Sequence, residues 1–143
     1  MYAARVRHVR VKRNDTPVMF VAAEADPRVV ADAAQRAFGE LESRLGALRG
    51  RRFFGVFNPT SSEYLACVQT TNGDEPSTLG LSEAVIPGGA YLRGTLTGRP
   101  PAVYAQIAPA FDELEKHADA DPSRPLVEFY RRYDEIDLLV PVI

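Results

Sequence analysis

The sequence predicts an α+β fold: two β-β-α-β-β halves with pseudo-twofold symmetry, antiparallel sheets, two helices and a groove between the halves. Runs with strand-like alternation occur in pairs, and an amphipathic helical run separates one pair from the next. This order occurs twice. In addition, EYLACVQT at 63–70 matches EIDLLVPV at 135–142, and FFGVFN at 53–58 matches VEFYRR at 127–132. We therefore expect a single domain over 1–143, with repeats at roughly 1–72 and 78–143.

The first half starts with a predicted hairpin and a long helix. Two strand-like runs in 5–23 flank the turn-forming pair Asn14-Asp15, and Asp26-Pro27 suits a helix start. Apolar residues spaced by three or four then predict a helix over 27–49. The half closes with strands at 51–58 and 63–71, followed by a loop at 72–78.

The second half repeats this arrangement. Two strands flank Pro87-Gly88-Gly89, and a helix is predicted from about 101 to 118. Pro109 lies inside that helix and should kink or split it, because proline lacks a backbone donor and clashes with the preceding turn. The last two strands are predicted at about 125–132 and 135–142.

Composition excludes several classes of protein. Lys and Arg number 17 against 19 Asp and Glu, so no net positive field attracts phosphate backbones, and we expect no direct nucleic-acid binding. Cys67 is the single cysteine, which rules out an intrachain disulfide and fits a cytoplasmic location. Neither a metal site nor a cofactor is predicted. The N-terminal residues contain no apolar run, so neither a signal peptide nor a membrane span is expected.

A carboxylate in a strand that otherwise looks like core is the first candidate functional residue. Side chains alternate along a strand, so Glu128 and Tyr130 share a face and should point into the groove if the helix covers the other face. The match of FFGVFN with VEFYRR places Phe54 at the position equivalent to Glu128. An alternative is a structural ion pair of Glu128 with Arg132 or Arg99.

A carboxylate among aromatic rings is costly to desolvate unless a cation or a hydrogen-bond donor meets it. A lipophilic cation would satisfy both the rings and the charge. The same desolvation would suit Glu128 to general acid or base catalysis, so binding and hydrolysis both stay open.

Five other side chains have a structural interpretation beside, or instead of, a functional one. Tyr91 is a wall of the groove or part of the core, and core is favoured for Tyr104. Glu83 is a second candidate carboxylate or an edge-strand charge that discourages aggregation. His117, near a helix end, and His8 are interpreted as structural.

Two stretches resemble a known family: the turn Ile86-Pro87-Gly88-Gly89-Ala90-Tyr91, and the terminal VEFY…DLLVPV. Together with the duplicated β-β-α-β-β order, they resemble the GyrI-like small-molecule-binding family, which includes effector-binding domains of AraC-type and drug-responsive transcription activators. The resemblance implies a groove for apolar, often cationic or DNA-reactive compounds, with Glu128 and Tyr130 facing it.

Three functions follow from the resemblance. The first is a stand-alone binding module, in transcription regulation or xenobiotic resistance, with Glu128 as the charge anchor and Tyr130, Tyr91, Phe54 and Glu83 as further ligand-binding candidates. The second is a hydrolase that opens strained cyclopropane rings, with Glu128 as general base and Tyr130 assisting. The third is a protein-partner role such as gyrase inhibition. The chain begins directly with the first predicted strand, so no DNA-binding domain is expected, and a protein partner or a homodimer stays open.

Overall fold

The computed structural model describes residues 7–24 and 32–143, which form one antiparallel sheet with short helices on it. The eight strands are β1 (His8–Arg13), β2 (Thr16–Ala22), β3 (Phe53–Asn58), β4 (Glu63–Gln69), β5 (Ser82–Ile86), β6 (Gly89–Thr97), β7 (Leu126–Arg132) and β8 (Glu135–Pro141). The helices are α1 (Ala33–Arg44), α2 (Pro76–Leu79), a 3-10 helix (Ala102–Gln106) and α3 (Ile107–Glu115). None of these helices is long and apolar enough to cross a membrane.

The order of strands across the sheet is β1-β6-β8-β7-β3-β4-β2-β5. Exchanging each strand for its counterpart four strands later or earlier in the chain reproduces this order in reverse. The pseudo-twofold axis therefore passes between β3 and β7, the two central strands. This symmetry confirms the predicted α+β fold with duplicated halves.

The predicted hairpin in 5–23 is wrong, because β1 and β2 do not pair with each other. β1 pairs with β6, whereas β2 pairs with β4 and β5. Arg13 faces Gly89 and Thr16 faces Ile86, so the Asn14-Asp15 pair lies opposite Pro87-Gly88. A Cβ on Gly88 would lie 2.7 Å from the backbone of Arg13 and of Asp15, and the Gly88 N–H donates to Asp15 Oδ1 at 2.6 Å. The two segments predicted as turns, Asn14-Asp15 and Pro87-Gly88, therefore bend the chain between paired strands and do not reverse its direction.

α1 and α3 cover the same face of the sheet, each over its own half. Ala37 and Leu41 of α1 pack on Met19, Ala66 and Val68. Phe111 and Leu114 of α3 pack with Leu92, Leu96, Leu138 and Val140. Because each helix packs on its own half, the central strands between them are left without a helix on this face.

The first helix ends earlier than predicted, at Arg44 instead of residue 49. Leu45 is already extended, with φ −94° and ψ 141°, and Gly46 follows it. Glycine is a poor helix former, so the apolar spacing through Leu48 does not extend the helix. The predicted cap at Asp26-Pro27 lies outside the described residues.

The second predicted helix is split, as Pro109 suggested. The 3-10 helix ends at Gln106 and α3 begins at Ile107, which makes Pro109 the third residue of α3. In the first turn a backbone N–H has no intrahelical partner, so proline loses no hydrogen bond there. The segment 72–78, predicted as a loop, runs into the single-turn helix α2.

Arg124 ties the Gly88 turn to the end of the last strand. Its guanidinium donates to the carbonyl oxygens of Gly88 (3.3 Å), Ala90 (3.0 Å) and Val142 (2.7 Å). It also pairs with Asp121 at 3.0 Å, and its side chain is 14% exposed. The cation therefore holds three chain segments together through charge-assisted bonds.

We expect Arg124→Gln to lower the free energy of unfolding by about 2 kcal/mol, because hydrogen bonds from a charged group contribute about 1.5–3 kcal/mol. Urea denaturation followed by circular dichroism measures the change. Arg36→Gln, an exposed arginine of α1, is the matched control and should be close to neutral. Equal stabilities for the two variants would contradict the assignment.

Candidate functional site

A cavity of about 710 Å³ lies between α1 and α3, over the central strands of the sheet. We call it the α1–α3 cavity. Its floor consists of Phe53, Phe57, Tyr64, Leu126, Glu128, Tyr130 and Ile136. Its walls and mouth consist of Ala34, Gln35, Phe38, Gly39, Glu42, Pro100, Tyr104, Ile107, Ala108, Phe111, Arg132 and Tyr133. A largely apolar concavity with a few polar groups is the usual form of a small-molecule site.

Glu128 lies on the floor of this cavity and is 8% exposed. Its Oε1 accepts a hydrogen bond from the Tyr64 hydroxyl at 2.7 Å and another from the Tyr130 hydroxyl at 2.6 Å. Two phenol donors offset part of the cost of removing a carboxylate from water. The structure thus brings together Glu128 and Tyr130, both predicted, with Tyr64, which was not.

The two tyrosines are held as neutral donors. Burial is the largest cause that raises the pKa of Tyr64 well above its ordinary value, and the Glu128 carboxylate raises it further. Burial followed by the same carboxylate raises the pKa of Tyr130 well above its ordinary value. Ionising either phenol would place a second negative charge beside the Glu128 carboxylate, in a buried site where water does not screen the repulsion. The phenols therefore stay protonated and keep donating at neutral pH.

Gly55 makes room for this arrangement. It pairs with Glu128 across β3 and β7, so any side chain at position 55 would project from the same face of the sheet as the carboxylate. A Cβ there would collide with the Tyr64 hydroxyl and with Glu128 Oε1. The glycine is needed for space, because the shared hydrogen-bonded oxygen occupies the volume of the missing side chain.

Aromatic rings surround the carboxylate. Phe38 of α1 contacts Tyr130 edge-on at a centroid distance of 5.3 Å and Tyr64 at 6.4 Å. Tyr104 meets Tyr130 edge-on at 6.4 Å. Rings around a carboxylate present both attractions that hold an organic cation, the ring quadrupole and the negative charge. Within residues 7–24 and 32–143, no three His, Cys, Asp or Glu side chains are grouped so as to hold a metal ion.

The structure does not bring Phe54 into the cavity, and its predicted position is wrong. Phe54 is buried on the opposite face of the sheet, where its ring stacks on Phe129 at a centroid distance of 4.8 Å. A shift of one residue moves a side chain to the other face of a sheet. The match of FFGVFN with VEFYRR contains such a shift.

Strand pairing gives the correct equivalence of β3 and β7. The match of EYLACVQT with EIDLLVPV makes Leu65 equivalent to Asp137. Leu65 pairs with Val56, and Asp137 pairs with Phe129, so Val56 is the counterpart of Phe129. The counterpart of Glu128 is therefore the residue just before Val56, one position further along β3 than the sequence match placed it.

Tyr91 and Glu83 also lie away from the cavity. Tyr91 belongs to the core of the opposite face, where its hydroxyl donates to the Pro87 carbonyl oxygen and Arg124 lies 4.9 Å from its ring centroid. Glu83 is exposed on the edge strand β5, opposite Met19. That position matches the edge-charge alternative for Glu83.

Among the ring residues of the cavity that the sequence did not assign to it, Tyr104, Tyr64 and Phe38 lie nearest the carboxylate cluster. Tyr104, expected in the core, is 38% exposed and lines the cavity. Tyr64 alternates with Ala66 and Val68 on β4, so strand parity places it on the helix-covered face. Phe38 follows the buried Ala37 by one position, at the margin of the apolar stripe of α1. A side chain at such a margin can face a neighbouring gap instead of the sheet.

No protein-family model matches the chain, and no curated protein matches it in sequence. Solved structures do match it. An integron cassette protein from the mobile metagenome of Vibrio cholerae, VCH_CASS2, is 16% identical, with a TM-score of 0.71 and 95% of each chain covered. SAV2435 bound to tetraphenylphosphonium is 15% identical, with a TM-score of 0.66 over 96% of this chain and 94% of that one. A hydrolase from Listeria innocua is 12% identical, with a TM-score of 0.55 over 99% and 94%. These matches confirm the fold that the resemblance implied.

We expect Gly55→Ala to disrupt the Tyr64–Glu128–Tyr130 cluster, because the new methyl group takes the place of the shared oxygen. The free energy of unfolding should fall by about 1–3 kcal/mol, the usual cost of overpacking, measured by urea denaturation. Gly39→Ala is the matched control: Gly39 also lines the cavity, but a Cβ there meets no atom within 4 Å. A Gly55→Ala protein as stable as Gly39→Ala would contradict the steric argument.

Proposed function

We propose that this chain binds apolar organic cations in the α1–α3 cavity, with Glu128 as the charge anchor. The observation that carries the proposal is a nearly buried carboxylate at the floor of an aromatic cavity, fixed in place by two phenols. Phe38, Tyr64, Tyr104 and Tyr130 supply ring surface, and the volume of about 710 Å³ suits a molecule with several aromatic rings.

The charge state of the floor supports a cation over a neutral or anionic ligand. Both tyrosines donate to Glu128, so their hydroxyl hydrogens are directed at the carboxylate and not at the open cavity. An incoming ligand therefore meets negative charge and ring faces. The structure of SAV2435, which shares the fold, was solved with tetraphenylphosphonium, a cation of this kind.

Glu128→Gln should weaken the binding of tetraphenylphosphonium, measured by isothermal titration calorimetry, by roughly tenfold to a hundredfold. This range corresponds to about 1.5–3 kcal/mol for the loss of a charged partner in a desolvated site. Glu83→Gln removes the same charge from an exposed edge strand and should leave the affinity unchanged. A neutral triaryl phosphine oxide should bind both proteins weakly and equally. If Glu128→Gln binds the cation as tightly as the wild type does, Glu128 is not the anchor.

A second candidate function is hydrolysis of a strained electrophilic ring. It is favoured by one observation: a carboxylate able to accept a proton from water lies beside two protonated phenols, at the floor of a cavity that could enclose a substrate. The Listeria innocua hydrolase shares the fold. In this function Glu128 would activate the water and Tyr130 or Tyr64 would protonate the opened ring.

Incubation with a cyclopropane-bearing DNA alkylator, followed by mass spectrometry, separates the two functions. A hydrolase yields a product heavier by one water, and Glu128→Gln abolishes its formation. A binding protein leaves the compound intact. In that case the wild type and Glu128→Gln both release the unchanged compound after denaturation.

A further inference from the structure

A second carboxylate with its own aromatic neighbours lies at the mouth of the α1–α3 cavity. Glu42, Tyr104 and Tyr133 all line the mouth, and we call them the mouth cluster. Tyr104 is 38% exposed and Tyr133 is 79% exposed. The mouth cluster therefore combines two solvent-exposed tyrosine rings with a carboxylate. The same combination of groups surrounds Glu128 on the floor.

The position of Glu42 on α1 follows from helix geometry. One face of α1 forms a wall of the cavity, and this face carries Gln35, Phe38, Gly39 and Glu42. Phe38 contacts Tyr130 on the floor, and Glu42 is four residues further along the helix, a rise of about 6 Å. Glu42 therefore lies on the α1 wall about one helical turn beyond the Phe38–Tyr130 contact, whereas Glu128 lies on the floor.

A continuous path of rings connects the two depths. The Tyr130 ring, whose hydroxyl bonds Glu128, meets the Tyr104 ring at a centroid distance of 6.4 Å. Partial burial is the largest cause that raises the pKa of Tyr104 above its ordinary value. The nearby Tyr133 and the Glu42 carboxylate raise it further. Glu42 therefore lies near the outer ring of this path, whereas Glu128 is hydrogen-bonded to the inner one.

Arg132 is the positive side chain of the mouth. It is exposed, lines the cavity and follows the irregularity in the β7–β8 register after Tyr130. Within the described residues Glu42 forms no salt bridge with Arg132 or with another cation, and Arg132 is not among the groups that shift the pKa of Tyr104. Glu42 therefore faces the mouth without an ion-pair partner among the described residues.

We propose that the preferred ligands are elongated dications, with one cationic group at Glu128 and the second between Tyr104, Tyr133 and Glu42. This inference rests on the proposed function, because it requires a first cation at Glu128. The Tyr130 and Tyr104 ring centroids are 6.4 Å apart, so the two cationic groups need a spacer between them. A compact monocation would occupy the floor and leave the mouth cluster unused.

The test uses a series of α,ω-bis(trimethylammonium) alkanes of increasing spacer length, each compared by calorimetry with a monocation of equal apolar length. We expect the dication to bind about two- to fivefold more tightly at one intermediate spacer length, the size of a partly exposed charge contact. Glu42→Gln should remove that gain and leave the monocation affinity unchanged. Because the mouth is exposed, the gain should also shrink as salt is added.

Two variants serve as controls. Glu40→Gln removes an exposed carboxylate of the same helix that does not line the cavity, and it should preserve the gain. Arg132→Gln removes the positive charge of the mouth and should increase the dication affinity relative to the monocation.

The outcomes are distinguishable. If monocations bind but no spacer length improves on them, or if Glu42→Gln weakens both ligand types equally, the mouth site is wrong and the proposed function stands. If neither ligand type binds, the proposed function fails and this inference fails with it.

Discussion

Two phenols that share one oxygen of a nearly buried carboxylate determine the chemistry of this molecule. Tyr64 comes from the first half of the fold, whereas Glu128 and Tyr130 come from the second, so the cluster joins the halves beside the pseudo-twofold axis. A buried carboxylate costs several kcal/mol unless donors compensate it. Since burial and the carboxylate both raise the pKa of the phenols, the donors that stabilise Glu128 are themselves kept protonated by it.

The axis also explains why the cluster is asymmetric. Gly55 is the symmetry counterpart of Glu128, and the two residues face each other across β3 and β7. Identical residues there would place two carboxylates against each other, which strongly disfavours ionising both. One half therefore carries the charge and the other carries a glycine. Duplication of the fold provides the central position, and divergence of the two copies places a single carboxylate there.

Much of the fold was predictable from the sequence because it depends on local periodicity. The presence of the strands, the break in the second predicted helix and the duplicated order follow from alternation, spacing and proline chemistry. The pairing of β1 with β6 was not predictable, since Asn14-Asp15 has the same composition whether it reverses a strand or bends one. The prediction that Phe54 lines the cavity was wrong for a related reason. An alignment error of one residue moves a side chain to the other face of the sheet. The prediction that Glu128 and Tyr130 share a face did not depend on that alignment, because it follows from alternation within one strand.

The cavity itself follows from how the two halves pack. Each of α1 and α3 buries its apolar side chains on its own half, and the opposite face of the sheet is filled by a separate core that includes Phe54, Tyr91 and Leu139. Apolar walls that lack a packing partner lose dispersion contacts, and a ligand can restore them. The fold thus places ring surface around its central carboxylate, and under the proposed function the packing that creates this space favours a cationic ligand.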